Sequence, residues 1–303
     1  MMKLGKRIFL FLAVNVLVLT TISIVMKLFG LEPYLNEQGI NYQSLMIFCL
    51  LWGFAGAFIS LALSRIMAKW MMGVKVIDPN TSNSQQRSLV ELVHSLAQSA
   101  GISKMPEVGI YESPEVNAFA TGPTRNRSLV AVSSGLLQNM NSTQVEGVLA
   151  HEVAHISNGD MVTMTLIQGV VNAFVMFFAR IIAFAIGQTI RDNGLRHIVE
   201  FLLVIVLQIA FSFLGMMVVA YFSRIREYKA DAGGAQLAGK DRMIAALQGL
   251  QRVYQPSVAA NNSSGTNQVA YDTLKISGKT TGLMALLASH PALDKRIARL
   301  QAI

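Results

Sequence analysis

The chain contains long stretches without a charged residue, and these limit the folds open to it more than any other feature. Residues 8–26, 44–63 and 201–222 form uncharged, apolar runs of nineteen to twenty-two residues. A helix needs about 20 such residues to cross about 30 Å of hydrocarbon. Only 14% of the 303 residues are charged, whereas soluble domains carry about 25%. The sequence therefore predicts a membrane protein and excludes a disordered chain.

The positions of the basic residues predict the topology. The first two runs form a predicted transmembrane pair in residues 1–63. Lys27 is the one basic residue between them, and six lie outside the two ends of the pair: Lys3, Lys6, Arg7, Arg65, Lys69 and Lys75. Because Lys and Arg favour the cytoplasmic side, the N-terminus and the chain after residue 64 are predicted to be cytoplasmic. This placement also accounts for the net charge of +8, so no nucleic-acid partner is predicted.

A second apolar pair follows in residues 161–222, and a short predicted loop, residues 191–200, separates its two runs. We interpret this pair as a transmembrane hairpin that returns the chain to the cytoplasm. Arg180 lies within the first run, and Arg191 and Arg196 would lie on the outer side, against the usual charge bias. The alternative is a buried helical hairpin that enters the bilayer only in part.

The segments 64–160 and 223–303 have a soluble composition and are predicted to form two parts of one cytoplasmic domain. Periodicity predicts helices at residues 88–100, 224–237, 243–254 and 293–300. Strands are predicted at residues 107–111, 117–121 and 129–132, with turns at Gly122-Pro123 and Arg125-Asn126. A capping box of Thr143 and Glu146 predicts a further helix. Residues 261–268 are predicted to form a mobile loop.

This capped helix contains the sequence His151-Glu-Val-Ala-His155. Two histidines four residues apart lie on one helix face and can reach one metal ion. Glu152 can then reach a water bound to that ion, which is the H-E-x-x-H arrangement of zinc hydrolases. Composition alone gives about 0.003 chance matches per chain. We therefore predict one Zn²⁺ per chain in preference to two histidines satisfied within a core.

A catalytic zinc ion takes three protein ligands and leaves one position open. Asp160 is one candidate for the third ligand, and Glu227 is another. Glu227 and Asp231 lie four residues apart on a predicted helix, so Glu227 could bind zinc while Asp231 accepts the outer N–H of a liganding histidine. Alternatively, this helix face is solvated and its carboxylates pair with nearby basic residues, namely Arg224, Arg226 and Lys229.

Two residues near the C-terminus complete the candidate site. His290 could stabilise the oxyanion of a tetrahedral intermediate, although a lone histidine before Pro291 is alternatively a surface residue. Arg296, six residues later, could pair with Asp231 or Glu227. The single cysteine, Cys49, excludes a cysteine-based zinc site or an internal disulfide.

Four segments carry a resemblance to a known family. They are residues 117–122 (NAFATG), 151–160 (HEVAHISNGD), 222–233 (FSRIREYKADAG) and 289–297 (SHPALDKRI). In these residues the chain resembles the HtpX-type membrane zinc metalloproteases, relatives of the CAAX prenyl endoproteases. The segments occur in the family's order and span nearly the whole chain.

The resemblance implies a mainly α membrane protein with a small β-sheet, in which transmembrane helices carry a cytoplasmic gluzincin-type metalloprotease domain. It implies a multi-pass bacterial inner-membrane endopeptidase, induced by stress, that cleaves damaged or unfolded membrane proteins. By position, it makes His151, His155 and Glu227 the zinc ligands and Glu152 the catalytic acid/base. The remaining implied roles are oxyanion stabilisation by His290, support by Arg296, and substrate pairing on the edge strand at Asn117.

Two other classes remain as hypotheses. A membrane-bound holdase or adaptor would carry a structural zinc, but such sites favour four closed ligands rich in cysteine. A transporter or channel would need ionisable residues within several spans, and Arg180 is the clear example in this sequence. A proteolytic assay with a chelator control and a flux assay in reconstituted membranes would separate these hypotheses.

Overall fold

The computed structural model describes residues 41–254 and 286–302. The predicted first span, residues 8–26, and the predicted loop, residues 261–268, lie outside these ranges. The helices are α1 (Tyr42–Met71), α2 (Ser84–Ser99), α3 (Ser134–Asn139), α4 (Ser142–Asn158), α5 (Asp160–Gly187), α6 (Asn193–Ala238), α7 (Lys240–Tyr254) and α8 (Leu293–Gln301). The strands are β1 (Lys75–Val76), β2 (Glu107–Tyr111), β3 (Ala118–Thr124) and β4 (Arg127–Ser133).

The described chain forms two compact units. The first combines residues up to Ser60 with Met164–Val219, and the second combines Leu61–Thr163 with the residues from Ala220 onward. Within the described ranges, three helices are long and apolar enough to cross a membrane: α1, α5 and α6.

The first unit has the packing expected of membrane helices. A Cβ atom added to Gly53 of α1 would lie 2.8 Å from the main-chain nitrogen of Ala173 on α5, so a small residue permits this close backbone approach. Large apolar side chains of α6, such as Phe201 and Phe213, are more than half exposed. Such a face suits contact with lipid. The interior between α1 and α5 contains Tyr42, Met46, Cys49, Phe177 and Ile181.

The second unit is built around a four-stranded sheet with the order β1-β2-β4-β3. Strand β2 pairs in parallel with β4, and the other pairs are antiparallel, so β3 lies at one edge. Helix α4 packs against this sheet and against α7, and it buries Leu149, Ala150 and Val153 completely. The C-terminal end of α1 contacts β2 through two ion pairs, which Arg65 and Lys69 form with Glu107.

Two local predictions are wrong at the level of individual residues. The capping box of α4 consists of Asn141 and Gln144, not Thr143 and Glu146, because the Asn141 side chain accepts the N–H of Gln144 two residues earlier than expected. Gly122 and Pro123 do not form a turn. They lie within β3 at an irregularity in its pairing, where the edge position tolerates proline.

The second apolar pair also differs from the prediction. Residues 193–200 are helical, so the predicted loop shrinks to residues 188–192. Asp192 caps the start of α6, since its side chain accepts the N–H of Leu195 at 2.7 Å. The predicted span 201–222 and the predicted helix 224–237 are parts of one continuous helix, which runs for 46 residues to Ala238. The charged end of this helix belongs to the second unit.

Candidate metal centre

Helix α4 presents the two motif histidines to the interior. His151 and His155 are 7% and 9% exposed, and one helical turn separates them. The helix ends at Gly159, whose φ of 68° lies in the left-handed region that favours glycine. This reversal starts α5 at Asp160 and brings its carboxylate back to the histidine of the preceding turn.

The third residue of the cluster comes from the charged end of α6. Glu227 Oε2 lies 3.4 Å from His151 Nε2, and Glu227 Oε1 lies 3.2 Å from His155 Nε2. The two Nε2 atoms are 3.1 Å apart. All three side chains are buried. The structure thus brings together the three residues that the sequence suggested as metal ligands.

The spacing of these atoms fits a tetrahedral metal ion. With bonds of about 2.0–2.1 Å, the ligand atoms of tetrahedral zinc lie about 3.3 Å from one another. The two nitrogens are 3.1 Å apart, and each lies 3.2 or 3.4 Å from the Glu227 oxygen nearer to it, so the observed separations lie around that value. Two imidazole nitrogens and one carboxylate also form a common donor set for catalytic zinc. The residues present therefore fit the ion that the motif implies.

A carboxylate orients each histidine from the far side of its ring. His155 Nδ1 lies 2.6 Å from Asp160 Oδ2, and His151 Nδ1 lies 3.0 Å from Asp231 Oδ1. An ionised carboxylate only accepts, so each Nδ1 carries the proton and donates it. With Nδ1 protonated, a neutral ring turns the lone pair of Nε2 towards the cluster.

Arg296 ties the carboxylates of this network together. Its Nε and one terminal nitrogen donate to Asp231 at 2.8 and 2.6 Å, and its other terminal nitrogen lies 3.3 Å from Glu227 Oε2. Glu227 and Asp231 are 3% and 2% exposed. The alternative prediction of a solvated helix face is therefore wrong, because both carboxylates point into the protein.

The charges of the site favour a cation at its centre. Burial lowers the pKa of His155, but its hydrogen bonds to Asp160 and Glu227 outweigh burial and raise the pKa to about 10. Burial raises the pKa of Glu227, but its contacts with His151, His155 and His290 bring it well below its usual value. Positive charge is thus stabilised where the three ligand atoms meet.

A count of formal charges leads to the same conclusion. If both histidines are neutral, four carboxylates face two guanidinium groups, which leaves a net charge of −2. A divalent ion would balance this charge, and buried charges require such compensation. The groups counted are Glu152, Asp160, Glu227 and Asp231 with Arg226 and Arg296.

A cavity of about 410 Å³ opens beside the cluster. Glu152, His290 and Asn117 line it together with the two motif histidines. Glu152 is half-buried. His290 has about a third of its side chain exposed, and its Nδ1 lies 2.8 Å from Glu227 Oε2. The structure therefore places the predicted acid/base and the predicted oxyanion stabiliser in one cavity.

The edge strand β3 forms one wall of this cavity through Ala118, Phe119 and Ala120. Asn117 itself lies one residue before β3, and its carbonyl accepts the N–H of Ser133 at 2.9 Å. In an antiparallel pair, alternate residues turn their N–H and C=O groups towards the partner. The peptide groups of Ala118 and Ala120 therefore point to the open side of the sheet.

Sequence reasoning missed two supporting residues. The sequence suggests Asp160 only as a ligand, whereas the left-handed Gly159 returns it to His155 as a hydrogen-bond acceptor. The sequence suggests Arg224 as a partner for carboxylates, but it donates to the carbonyls of Leu286 and Ala288 at 3.1 and 2.8 Å. It thereby holds the segment that leads to His290.

Replacing Asp160 with Asn should weaken zinc binding about 10- to 100-fold, because His155 loses the charged acceptor that orients its ring. Competition against a fluorescent chelator measures the affinity. The Asp78→Asn variant, which changes a carboxylate on an exposed loop, is the matched control and should bind zinc as the parent does. Equal affinities in both variants would contradict the role given to Asp160.

Comparisons with known proteins agree with this arrangement. The family model described as Peptidase family M48 matches residues 83–303. A "Protease HtpX homolog" of Bacillus subtilis is 53% identical over 306 residues, which cover 99% of this chain and 100% of the relative. A "Protease HtpX" of Shewanella piezotolerans is 50% identical over 302 residues, which cover 98% of this chain and 99% of the relative.

A solved structure shares the fold. The crystal structure of S. mikatae Ste24p matches 93% of this chain with a TM-score of 0.55 and 17% sequence identity. This chain spans 64% of the Ste24p chain, which is less than two thirds of its length. Together with the three long apolar helices and the small mixed sheet, this match confirms the predicted fold class.

Proposed function

The chain belongs to peptidase family M48, and we propose that it is a zinc-dependent endopeptidase that cleaves misfolded or damaged membrane proteins at the cytoplasmic face of the bacterial inner membrane. Family membership confirms the predicted metalloprotease and the resemblance to HtpX-type proteases. The apolar helices make it a membrane-bound enzyme. We propose three things beyond family membership: that the metal is zinc, that the substrates are misfolded or damaged membrane proteins, and that the active site faces the cytoplasm.

One observation carries the proposal. Three buried ligand atoms within 4.8 Å of one another share a cavity with Glu152 and with an open sheet edge. A structural metal site would close its fourth position with another protein ligand. This cluster instead borders a cavity large enough for part of a peptide, which is the arrangement that hydrolysis needs.

Different residues of the cavity carry out different steps of peptide hydrolysis. When bound, a zinc ion would polarise the scissile carbonyl and lower the pKa of a water molecule to about 7. Glu152 takes a proton from the attacking water and passes it to the leaving amine as the peptide C–N bond breaks. His290 donates to the oxygen of the scissile carbonyl as negative charge develops on it.

Strand β3 provides a binding site for an extended substrate. The outward peptide groups of Ala118 and Ala120 can pair with the main chain of a polypeptide, as in β-strand addition. Main-chain pairing requires an unfolded, extended segment and reads few side chains. This requirement supports damaged and misfolded proteins as the substrate class, because folded proteins offer few such segments.

Charge placement supports a cytoplasmic active site. The second unit begins with Arg65 and Lys69 directly after the apolar part of α1. It resumes with Arg224, Arg226 and Lys229 directly after the apolar part of α6. Basic residues beside membrane spans favour the cytoplasmic side. The unit that contains the metal centre is therefore assigned to that side.

The purified chain in detergent should cleave β-casein when zinc is present, lose this activity with a zinc chelator, and regain it when zinc is restored. In vesicle experiments, inverted bacterial membrane vesicles should cut added casein, whereas right-side-out vesicles should not. A destabilised membrane protein should be cut faster than its stable parent.

Three outcomes would contradict the proposal. Chelator-resistant cleavage would refute the zinc assignment, and cleavage confined to right-side-out vesicles would refute the topology. Equal cleavage of the stable and destabilised proteins would refute a role in quality control.

A further inference from the structure

The segment that leads into the edge strand is held by the hydroxyl of Ser133. This Oγ donates to the carbonyl of Glu115 at 2.6 Å and accepts the N–H groups of Asn117 and Leu136 at 3.0 Å. The N–H of Ser133 also donates to the carbonyl of Asn117. Ser133 is completely buried. One side of the segment 115–117 is thus fixed to the end of β4.

A second hydroxyl fixes the residue between these contacts. The Tyr254 hydroxyl donates to the carbonyl oxygen of Val116 at 2.5 Å, although the two residues lie 138 positions apart in sequence. Val116 is itself 2% exposed. Burial, together with the nearby Glu115 and Tyr111, raises the pKa of Tyr254 to about 12. The hydroxyl therefore keeps its proton, and remains a donor, at physiological pH.

Tyr254 is the last residue of α7, and α7 is fixed against the catalytic helix α4. A Cβ on Gly147 of α4 would collide with the carbonyl oxygen of Arg242 on α7. A Cβ on Gly249 of α7 would lie 2.9 Å from the side chain of Met140 and 3.0 Å from that of Gln144. Packing this close leaves the two helices little freedom to slide. Tyr254 therefore connects the start of the edge strand to the helix that carries Glu152.

We infer that Tyr254 is a positioning residue, which sets the register between the strand that binds the substrate backbone and the helix that carries the catalytic acid/base. The inference rests on the proposed function and extends it to a residue outside the metal centre. Without the hydroxyl, the carbonyl of Val116 loses its hydrogen-bond donor. The segment before β3 is then held less firmly, so the positions of Ala118 and Ala120 become less well defined. Substrates that pair with more of β3 depend more on its position, so long substrates should be affected most.

The test compares Tyr254→Phe with Tyr221→Phe, which removes a hydroxyl from an exposed position on α6. The substrates are a short and a long β-casein peptide that share one cleavage site mapped with the parent enzyme. In Tyr254→Phe, KM for the long peptide should rise about fivefold, the size expected for one lost hydrogen bond. Its KM for the short peptide, the kcat for both peptides and the zinc content should stay near those of the parent, while Tm should fall by only a few degrees. Tyr221→Phe should match the parent throughout.

Two outcomes would overturn the inference. A parent-like KM for the long peptide would show that the hydroxyl does not position the strand. An equal rise of KM for the short and the long peptide would show a general structural role.

Hydrogen exchange decides the same point in the full chain without any proteolysis. The hydrogen-bonded amides among residues 115–121, such as that of Asn117, should exchange about fivefold faster in Tyr254→Phe than in the parent and in Tyr221→Phe. Unchanged exchange would refute the inference. Faster exchange in a chain that cleaves no substrate would leave the contact standing while the proposed function failed.

Discussion

Replacing Glu152 with Gln is expected to lower kcat for casein cleavage by about a thousandfold, while zinc stays at one ion per chain. Glutamine keeps the shape of the side chain but cannot take a proton from water and return it to the leaving amine. Glu152 lines the cavity without belonging to the set of three ligand atoms, so metal binding should survive. Steady-state kinetics and elemental analysis of the same preparation measure both quantities.

The control for this variant lies on the same helix. Glu146 pairs with Arg242 at 3.2 Å and does not line the cavity. Glu146→Gln should therefore keep both cleavage and zinc. Cleavage by Glu152→Gln at the parent rate would show that another group moves the proton. Loss of zinc from that variant would show that Glu152 supports the metal centre itself.

Replacing Glu227 with Ala is expected to remove zinc and, with it, proteolysis. The carboxylate supplies one of the three ligand atoms and contacts both motif histidines, His290 and Arg296. Zinc content should fall from one ion per chain to less than about one tenth. The variant should also unfold more easily, because removing one partner from a buried charge network costs about 3–5 kcal/mol.

Glu200→Ala is the matched control, since this carboxylate pairs with Arg196 at 2.9 Å in the first unit. It should retain full zinc content by elemental analysis. If Glu227→Ala also retained zinc, Glu227 would not be the third ligand, and Asp160 would become the leading candidate.

The site was predictable to the extent that its geometry is local or chemically distinctive. The spacing of His151 and His155 places them on one helix face in any α-helix, so their juxtaposition needed no tertiary information. Glu227 lies 72 positions after His155, and no spacing rule connects them. It could be suggested because Glu227 and Asp231 form a pair of carboxylates at helical spacing directly after an apolar run.

The orientation of the histidines was less predictable, because it depends on how the backbone turns. Asp160 reaches His155 only because Gly159 adopts a left-handed conformation, and a sequence does not state the φ angle of a glycine. The capping box shows the same limit. Asn141 with Gln144 and Thr143 with Glu146 have the same spacing, so spacing alone does not decide between them.

The continuity of α6 was missed because composition and conformation change at different places. Charged residues begin after Phe222, which suggested the end of a span. No glycine or proline occurs between residues 216 and 232, however, so nothing in the backbone ends the helix there. The helix therefore continues for 46 residues, and it contains both the apolar segment and Glu227.

The order of these segments along the polypeptide has a consequence for biogenesis. The ribosome releases His151 and His155 before the hydrophobic hairpin and Glu227 after it. With Glu227 as the third ligand, a nascent chain that has not yet synthesised this hairpin holds only two of its three zinc-binding groups. We therefore expect the complete set of ligands to form only after the hairpin and the residues up to Glu227 have been synthesised.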